Sequence, residues 1–567
     1  MTLTAIFHDI FVFLTLVLRS ANGFEIEAHI GGFDGTLRPD VRQLVAHAAP
    51  STASGAERLS SASATVPDGP YLHHAVTRRA GQAWLELDLT VTNGEMHGPR
   101  SPHVFDRWLQ LDVPVDMALV PRFDWIHVES LAAGSYRVDL GGDLFQGMLL
   151  ELPLALVPHE LLLADGSPGP QLAYQLEHLP WLGDGPGFVE NLPLLPADPA
   201  DASNITFRTD GLPFLEAAYV DYDYGAAAGG ASIRFDFGAE FAWMDRLDVY
   251  RMMKRWSWEI HRRPQRCYLT FDGEPLRPAD APVGFQFLIG PSEYMISNYV
   301  SASFGFDEVW IAQNLAALKG TIDLQHGPRW FGPDAYLAQR FDCPSSRRMV
   351  ARMAAAARLV APNALDVHPG DLNRGLGWNA VLQATSVLTN DDQDARLWLR
   401  RFVATCERDQ SAFGGLCAWT TNKEATDYAP QYVSMATGVP IGDVPIVPVT
   451  QPYQETVLAW GLWCAEQVGI TTGPHLLDDL VHFICETCRE PGSGRPWYRV
   501  GVDGQRLSSN ADGFYHGAAL ALGLARDLPG NDQWLADHDA TAPVVFGPPA
   551  GPNFERWRNQ WHLRGLR

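Results

Sequence analysis

The hydrophobic pattern changes its period near the middle of the chain, and this change constrains the fold more than any other feature. Up to about residue 290, apolar and polar residues alternate along runs such as AWLELDLTVTNGE (83–95), SYRVDLGG and GMLLELPLALV. Period two is typical of strands with one buried face, and the Gly- and Pro-rich segments between the runs are typical of turns. The first half is therefore predicted to be an antiparallel, sandwich-like β region. Within it, the Ala- and Ser-rich stretch 47–65 is predicted to be an exposed loop.

From about residue 300 onward the apolar residues recur at helical spacing, and the later helices come in pairs. The first helix of each pair is almost entirely apolar or small, as in GWNAVLQATSVLT, TVLAWGLWCAEQVG and GFYHGAALALGLA. The second helix carries charges on one face. A helix that is apolar on most sides is buried on most sides, so the pattern predicts inner and outer helices. Repeated hairpins of this kind predict an incomplete α/α toroid.

These two patterns divide the chain into three predicted parts, which make a multidomain protein of the mixed α and β class. Residues 1–295 are predicted to form the β-rich, sandwich-like domain, and residues 296–545 the α/α toroid. Residues 546–567 are predicted to be a C-terminal extension.

Composition restricts the partners and the cofactors. A formal net charge of −24 argues against a surface that binds nucleic acid. The sequence contains seven cysteines, and the C-x-x-C of Cys485 and Cys488 lies in an amphipathic helical pattern with no second ligand pair nearby. Buried free thiols are therefore expected instead of a zinc site. No motif for a nucleotide, a nicotinamide cofactor or a serine nucleophile is present, so no cofactor is expected. A homo-oligomer is left open.

Residues 1–22 have two interpretations. The apolar core Ile10–Leu18 is close to the length of a secretory signal, which would place the protein in the periplasm or outside the cell. No Lys or Arg precedes this core, and its alternation also fits a β-strand. In that case the protein would be cytoplasmic or associated with a particle. The core is too short to span a bilayer, so no membrane span is expected.

The stretch DLNRGLGWNAVLQATSVLTNDD (371–392) has two glycines at the start of a helix, beside Arg374 and Trp378. Glycine inside a helix costs about 1 kcal/mol relative to alanine. In a toroid the inner helices run parallel, so their starts lie at one rim and collect partial positive charge. Small residues there would let another backbone, a side chain or a ligand come close. Close helix packing and a ligand site explain the glycines equally well.

The β-rich region followed by a toroid resembles the architecture of several polysaccharide-lyase families, most nearly the exo-acting rhamnogalacturonan lyases. The helix motifs RGLGWNAVLQA and YQETVLAWGL also resemble those of uncharacterised bacterial and phage-associated toroid proteins. For a lyase the resemblance implies β-elimination from a uronic acid. That reaction needs a cation for the carboxylate, a base for the C5 proton and an acid for the leaving oxygen. Arg374, Tyr515 and His516 are the candidate catalytic residues. A divalent cation in place of the arginine stays open.

Further residues are predicted to bind the substrate. Trp378 belongs to the first helix start, and Tyr453 and Glu455 belong to the start of the next inner helix. The others lie in segments rich in Gly or Pro or in a long loop between hairpins, where site residues concentrate: His326, Arg329, Trp330, Tyr428 and Tyr432. Aromatic residues in such segments also serve as structural anchors.

Two other functions compete with the lyase. A glycoside hydrolase would need two carboxylates facing each other across a cleft. The sequence singles out no pair among its candidates, which are Glu424, Asp427, Glu455 and Asp512. The second alternative is a structural or glycan-binding component without catalytic activity, for example of a phage particle. In each case the expected partner is a polysaccharide or another glycan.

Overall fold

The fold is that of a computed structural model. It describes residues 14–19, 25–30, 43–46, 56–65, 71–79, 82–92, 107–141, 149–177, 254–255, 257–258, 334–335, 337–338, 343–367, 374–416, 419–420, 440, 448–490, 497–507, 519–520, 522–523, 526–534 and 536–537.

The N-terminal region contains two antiparallel sheets. One sheet has the strand order β1–β2–β7–β10–β9, and the other has the order β3–β4–β5–β6–β11–β8. The strands are β1 (Leu14–Arg19), β2 (Glu25–Ile30), β3 (Gln43–Ala46), β4 (Ala56–Thr65), β5 (Tyr71–Arg79), β6 (Leu85–Thr92), β7 (Trp108–Asp112), β8 (Met117–Pro121), β9 (Val128–Ala132), β10 (Ser135–Asp139) and β11 (Leu149–Pro158). The prediction of an antiparallel β-rich region is confirmed.

The alternation in the sequence corresponds to two different faces of the second sheet. In the register of β5, β6 and β11, His74 pairs with Leu89 and Leu89 pairs with Leu152. All three side chains are fully buried, so this row belongs to the apolar core. The next row on the opposite face consists of the polar residues His73, Thr90 and Glu151, which are also buried.

The loop predicted over residues 47–65 is wrong for Ala56–Thr65, which form β4. This strand pairs with β5 along its length and with β3 over residues 62–65, so both edges of its backbone are paired at that end. Alanine and serine give no hydrophobic alternation, and the partner strands decide its conformation. Residues Leu14–Arg19 form β1, in agreement with the second interpretation of residues 1–22, that of a β-strand.

His74, in β5 of the second sheet, makes the free energy of unfolding depend on pH in the acid range. Burial lowers the pKa of His74 from 6.5 to about 4. Between these values the unfolded chain binds a proton that the folded chain does not. The contribution of His74 is therefore complete above about pH 6.5 and is lost as the pH falls toward 4, by about 1.4 kcal/mol per pH unit.

Between about pH 7 and about pH 5, we expect the wild type to lose roughly 2 kcal/mol more free energy of unfolding than His74→Leu. The measurement is denaturant-induced unfolding of the full chain at both pH values. His127→Gln is the matched control, because His127 is exposed. Identical pH dependence in the wild type and His74→Leu would contradict the prediction.

Helices dominate the described chain after the strands. They are α1 (Pro170–Glu177), α2 (Pro344–Val367), α3 (Arg374–Asn390), α4 (Gln393–Asp409), α5 (Pro452–Gln467) and α6 (Leu476–His482), with a π-helical turn at Phe483–Thr487. A 3₁₀ turn covers His159–Leu161, and the short strands β12 (Trp419–Thr420), β13 (Pro448–Thr450) and β14 (Val500–Gly501) form a small antiparallel sheet. The prediction of helices in the later part of the chain is confirmed. Among the described helices, none is both long and apolar enough to cross a membrane.

Helices α3 and α4 differ in burial as their sequences predict. In α3, only Arg374, Leu388 and Asn390 are not buried. In α4, buried residues recur every three or four positions, and the remaining face carries the charges. The helix that is apolar on all sides is therefore enclosed by protein, and its neighbour has one face in solvent.

Asp392 joins α4 to α2 and α3, the two helices that precede it in the chain. One carboxylate oxygen accepts from the Ala395 N–H at 3.0 Å, which caps α4. The other accepts from Arg358 of α2 at 2.9 Å and from Ser386 of α3 at 2.8 Å. Burial raises the pKa of Asp392, but the charge of Arg358 and these hydrogen bonds outweigh it and hold the pKa below its usual value. This corner fixes the turn between α3 and α4.

The chain divides into two compact units. Of the described residues, the first unit holds β1–β11, α1, residues 254–258 and 343–345. The second holds residues 334–338 and the described chain from residue 346 onward. The domain boundaries predicted at 295–296 and 545–546 lie outside the described residues.

Candidate functional site

The starts of α3 and α5 lie side by side. The backbone N–H of Arg374, the first residue of α3, donates to Gln454 Oε1 in the first turn of α5 at 3.2 Å. Gln454 Nε2 in turn donates to Gln451 Oε1 at 2.6 Å. The first N–H groups of a helix have no partner within the helix, so a side-chain amide from α5 satisfies one of those of α3. We call residues 374–378 and 450–455 the paired helix starts.

Two glycines allow α3 and α5 to pack backbone against backbone. A methyl group on Gly377 would lie 2.6 Å from the carbonyl carbon and oxygen of Val457. A methyl group on Gly461 would lie 2.8 Å from Ala380 Cβ and from the Gly377 carbonyl oxygen. Contacts advance along both helices in the same direction, from Arg374 with Gln454 to Gly377 with Val457, so α3 and α5 run parallel. Their close approach accounts for Gly377 near the helix start.

Glu455 places a buried carboxyl group within the paired helix starts, in the first turn of α5. Its side chain is fully buried, and Oε1 accepts from the backbone N–H of Leu416 at 3.0 Å. Oε2 has no hydrogen-bond partner within the described part of the chain. Burial raises the pKa of Glu455 to about 8, although the Thr450 hydroxyl and the Leu416 N–H act in the opposite direction. At neutral pH the group is therefore mainly a neutral carboxylic acid.

Two thiols share the interior with Glu455. Cys406 of α4 and Cys488, which follows the π-helical turn, are both fully buried and free. Burial raises the pKa of each thiol well above its usual value, and the carboxyl of Glu455 raises it further. Cys485 is also a buried free thiol, as the sequence predicted for this C-x-x-C. Since neutral thiols are poor nucleophiles and metal ligands, this interior is suited to packing.

The structure brings together part of the predicted site. Arg374, Trp378 and Glu455 all belong to the paired helix starts, and Tyr453 lies in the first turn of α5. Arg374 is half-buried, whereas Trp378 is only 2% exposed. The remaining predicted residues lie outside the described residues, and their roles stay predictions: Tyr515, His516, His326, Arg329, Trp330, Tyr428 and Tyr432.

Three polar residues of this site were missed by sequence reasoning. Thr450, Gln451 and Gln454 are 0%, 1% and 3% exposed, and they surround the start of α5. The signal that could have found them is QPYQE, where two glutamines three positions apart flank a proline before an apolar helix. Proline at the first position marks a helix start, so polar residues around it are candidates for satisfying free N–H groups.

Within the described ranges, no group of three or more His, Cys, Asp or Glu side chains could hold a metal ion. Comparison of the chain with protein-family models, with curated proteins and with solved structures gives no match. The function is therefore argued from the residues and from the geometry of the paired helix starts.

Proposed function

We propose that the chain is a carbohydrate-active protein that cleaves an acidic polysaccharide by β-elimination at the paired helix starts. The observation that carries this proposal is the side-by-side position of α3 and α5, whose starts are joined through Arg374 and Gln454. Helix starts present backbone N–H groups and partial positive charge. Two of them together favour an anionic group, such as the carboxylate of a uronic acid.

The proposed architecture is a β-sandwich followed by an incomplete α/α toroid, with the paired helix starts on the rim of the toroid. Two hairpins support the toroid, because α3 and α5 are buried on nearly all sides while α4 and α6 each keep a polar face. Contacts of β1 in the first sheet with β3 and β4 in the second support the sandwich. Several polysaccharide-lyase families resemble this combination.

The proposed chemistry assigns three roles. The Arg374 side chain, with the partial positive charge of the paired helix starts, would neutralise the uronate carboxylate and make the C5 proton more acidic. Tyr515 and His516 would remove that proton and protonate the leaving oxygen. The product of such a reaction carries a new carbon–carbon double bond conjugated to the carboxylate, which absorbs ultraviolet light.

Glu455 supports an anionic substrate in this proposal because it is neutral. An ionised carboxylate at the paired helix starts would cancel part of their positive potential and repel a uronate. With its pKa raised to about 8, Glu455 adds little negative charge at neutral pH. Affinity for an acidic polysaccharide should therefore fall above about pH 8 in the wild type, and less so in Glu455→Gln.

The test is ultraviolet absorbance of the full-length protein on a panel of acidic polysaccharides, with reducing ends measured in parallel. We expect absorbance to rise with the wild type and to be lost with His516→Ala and with Tyr515→Phe. His475→Ala is the matched control and should keep full activity, because His475 is exposed at the start of α6.

Two results would contradict the lyase, and a third would contradict only the residues assigned to its chemistry. Reducing ends without absorbance would favour a glycoside hydrolase, which uses a pair of carboxylates. Neither signal on any substrate, together with retained glycan binding, would favour a component without catalytic activity. Absorbance that persists in both His516→Ala and Tyr515→Phe would remove these two residues from the site.

A further inference from the structure

A lysine, a carboxylate and a thiol meet beside β11 in the first unit. Lys254 Nζ lies 2.9 Å from Glu151 Oε1 and 3.2 Å from Cys343 Sγ. The side chains of Lys254 and Glu151 are 5% and 6% exposed, whereas Cys343 is half-buried. The three residues come from β11, from the segment 254–258 and from the position just before α2.

The ion pair explains two members of this cluster. Glu151 lies in the buried polar row of the second sheet with Thr90 and His73, and a buried carboxylate needs a cation partner. Lys254 supplies that cation. The ion pair does not require the thiol of Cys343, which is a weak hydrogen-bond acceptor. Cys343 Sγ nevertheless lies in contact with the Lys254 ammonium group. Among the described cysteines, Cys343 alone is not fully buried, so its sulfur can be reached by a small oxidant.

We propose that Cys343 is an oxidation site whose sulfenic acid is captured by Lys254 in a reversible sulfur–nitrogen crosslink. The oxidant is a peroxide. Cys343 Sγ attacks one peroxide oxygen, the O–O bond breaks, the sulfur becomes a sulfenic acid, and the peroxide is reduced to water.

The second step uses the geometry of the cluster. Lys254 transfers a proton to Glu151, and the neutral amine then attacks Sγ. An S–N bond forms, the S–O bond breaks, and the leaving hydroxide takes a proton from the nitrogen to become water. Sulfenic acids condense with nitrogen in this way, and reaction with a thiol reverses the product. Overall, one hydrogen peroxide is consumed, two waters are released, and the protein loses two hydrogen atoms.

Four other cysteines provide an internal comparison. Cys406, Cys464, Cys485 and Cys488 are all fully buried. Burial raises the pKa of each of these thiols. They are therefore neither accessible to peroxide nor ionised in the folded protein, and should stay reduced under conditions that oxidise Cys343.

The experiment treats the folded full-length chain with graded hydrogen peroxide, blocks the remaining thiols and maps the digest by mass spectrometry. We expect a joined pair of peptides that contain Lys254 and Cys343, lighter by two hydrogens than their sum. Treatment with a dithiol should release it. Peroxide-treated protein in which Cys343 passes only to sulfinic or sulfonic acid, without the joined pair, would overturn the proposal.

Lys254→Arg is the matched variant, because arginine keeps the cation beside Glu151 but its guanidinium is a poor nucleophile. In this variant a reagent specific for sulfenic acids should label Cys343 severalfold more than in the wild type, where Lys254 consumes the intermediate. Cys343→Ser should abolish both the label and the crosslink at this position. Equal labelling of the wild type and Lys254→Arg would mean that Lys254 does not react, and would also overturn the proposal.

Discussion

Glu455→Gln is expected to raise the free energy of unfolding of the full chain by about 4 kcal/mol at about pH 8. The pKa of the Glu455 carboxyl is 4.5 without burial and about 8 in the folded protein. Between these values the folded state keeps a proton that the unfolded state has released, so stability falls as the pH rises. Glutamine has the shape of the protonated acid, keeps an acceptor for the Leu416 N–H and does not ionise.

Denaturant-induced unfolding across about pH 4 to 8 measures this effect, because the two proteins should have nearly equal stability at the acid end and diverge as the pH rises. Glu486→Gln is the matched control, since Glu486 is 53% exposed on the same unit. Parallel pH curves for the wild type and Glu455→Gln would show that the carboxyl is ionised in the folded protein. That result would also remove the support that a neutral Glu455 lends to binding of an anionic substrate.

Gly377→Ala is expected to lower the free energy of unfolding by about 3 kcal/mol, the upper part of the usual range for overpacking. The new methyl group would lie 2.6 Å from the Val457 carbonyl, and backbone atoms cannot rotate out of the way as a side chain can. Alanine is the better helix former by about 1 kcal/mol, which offsets only part of this cost. Separation of α3 from α5 would also break the hydrogen bond between the Arg374 N–H and Gln454.

Thermal and denaturant-induced unfolding of the full chain test this prediction. Gly169→Ala is the matched control, because its methyl group would meet only the Leu163 side chain, at an ordinary 3.6 Å from Cδ2. If Gly377→Ala instead stabilised the protein, as helix propensity alone predicts, α3 and α5 would not be in backbone contact. In the lyase assay, Gly377→Ala should reduce turnover more than Gly169→Ala, because only Gly377 lies at the paired helix starts.

The sequence predicted strands and helices best where the buried apolar residues recur at a regular spacing. The alternating run at 83–95 contains β6, and the apolar run at 378–390 lies within α3. The sequence-based prediction failed at Ala56–Thr65, because small residues there show no regular apolar spacing and strand pairing decides the conformation. It also missed the π-helical turn at Phe483–Thr487, since the apolar spacing there continues that of α6.

For the candidate site, sequence reasoning identified which helix starts matter but not what they contact. Arg374, Trp378 and Glu455 were singled out because polar and aromatic residues open two inner helices. Nothing in their spacing indicated that Glu455 would be fully buried and mainly neutral. Thr450 and Gln451 were missed because their burial beside Gln454 and Glu455 depends on tertiary packing.

Apart from β4 and the π-helical turn, the sequence by itself indicated which of the described segments become strands, which become helices, and which helices are enclosed. These properties follow from the local period of apolar residues, because each element must bury its own apolar face. Tertiary structure alone decided the approach of α3 to α5, which joins residues 80 positions apart, and the environment of Glu455, whose backbone partner lies 39 positions away. Contact and burial depend on atoms brought together from distant parts of the chain, and no local pattern records them.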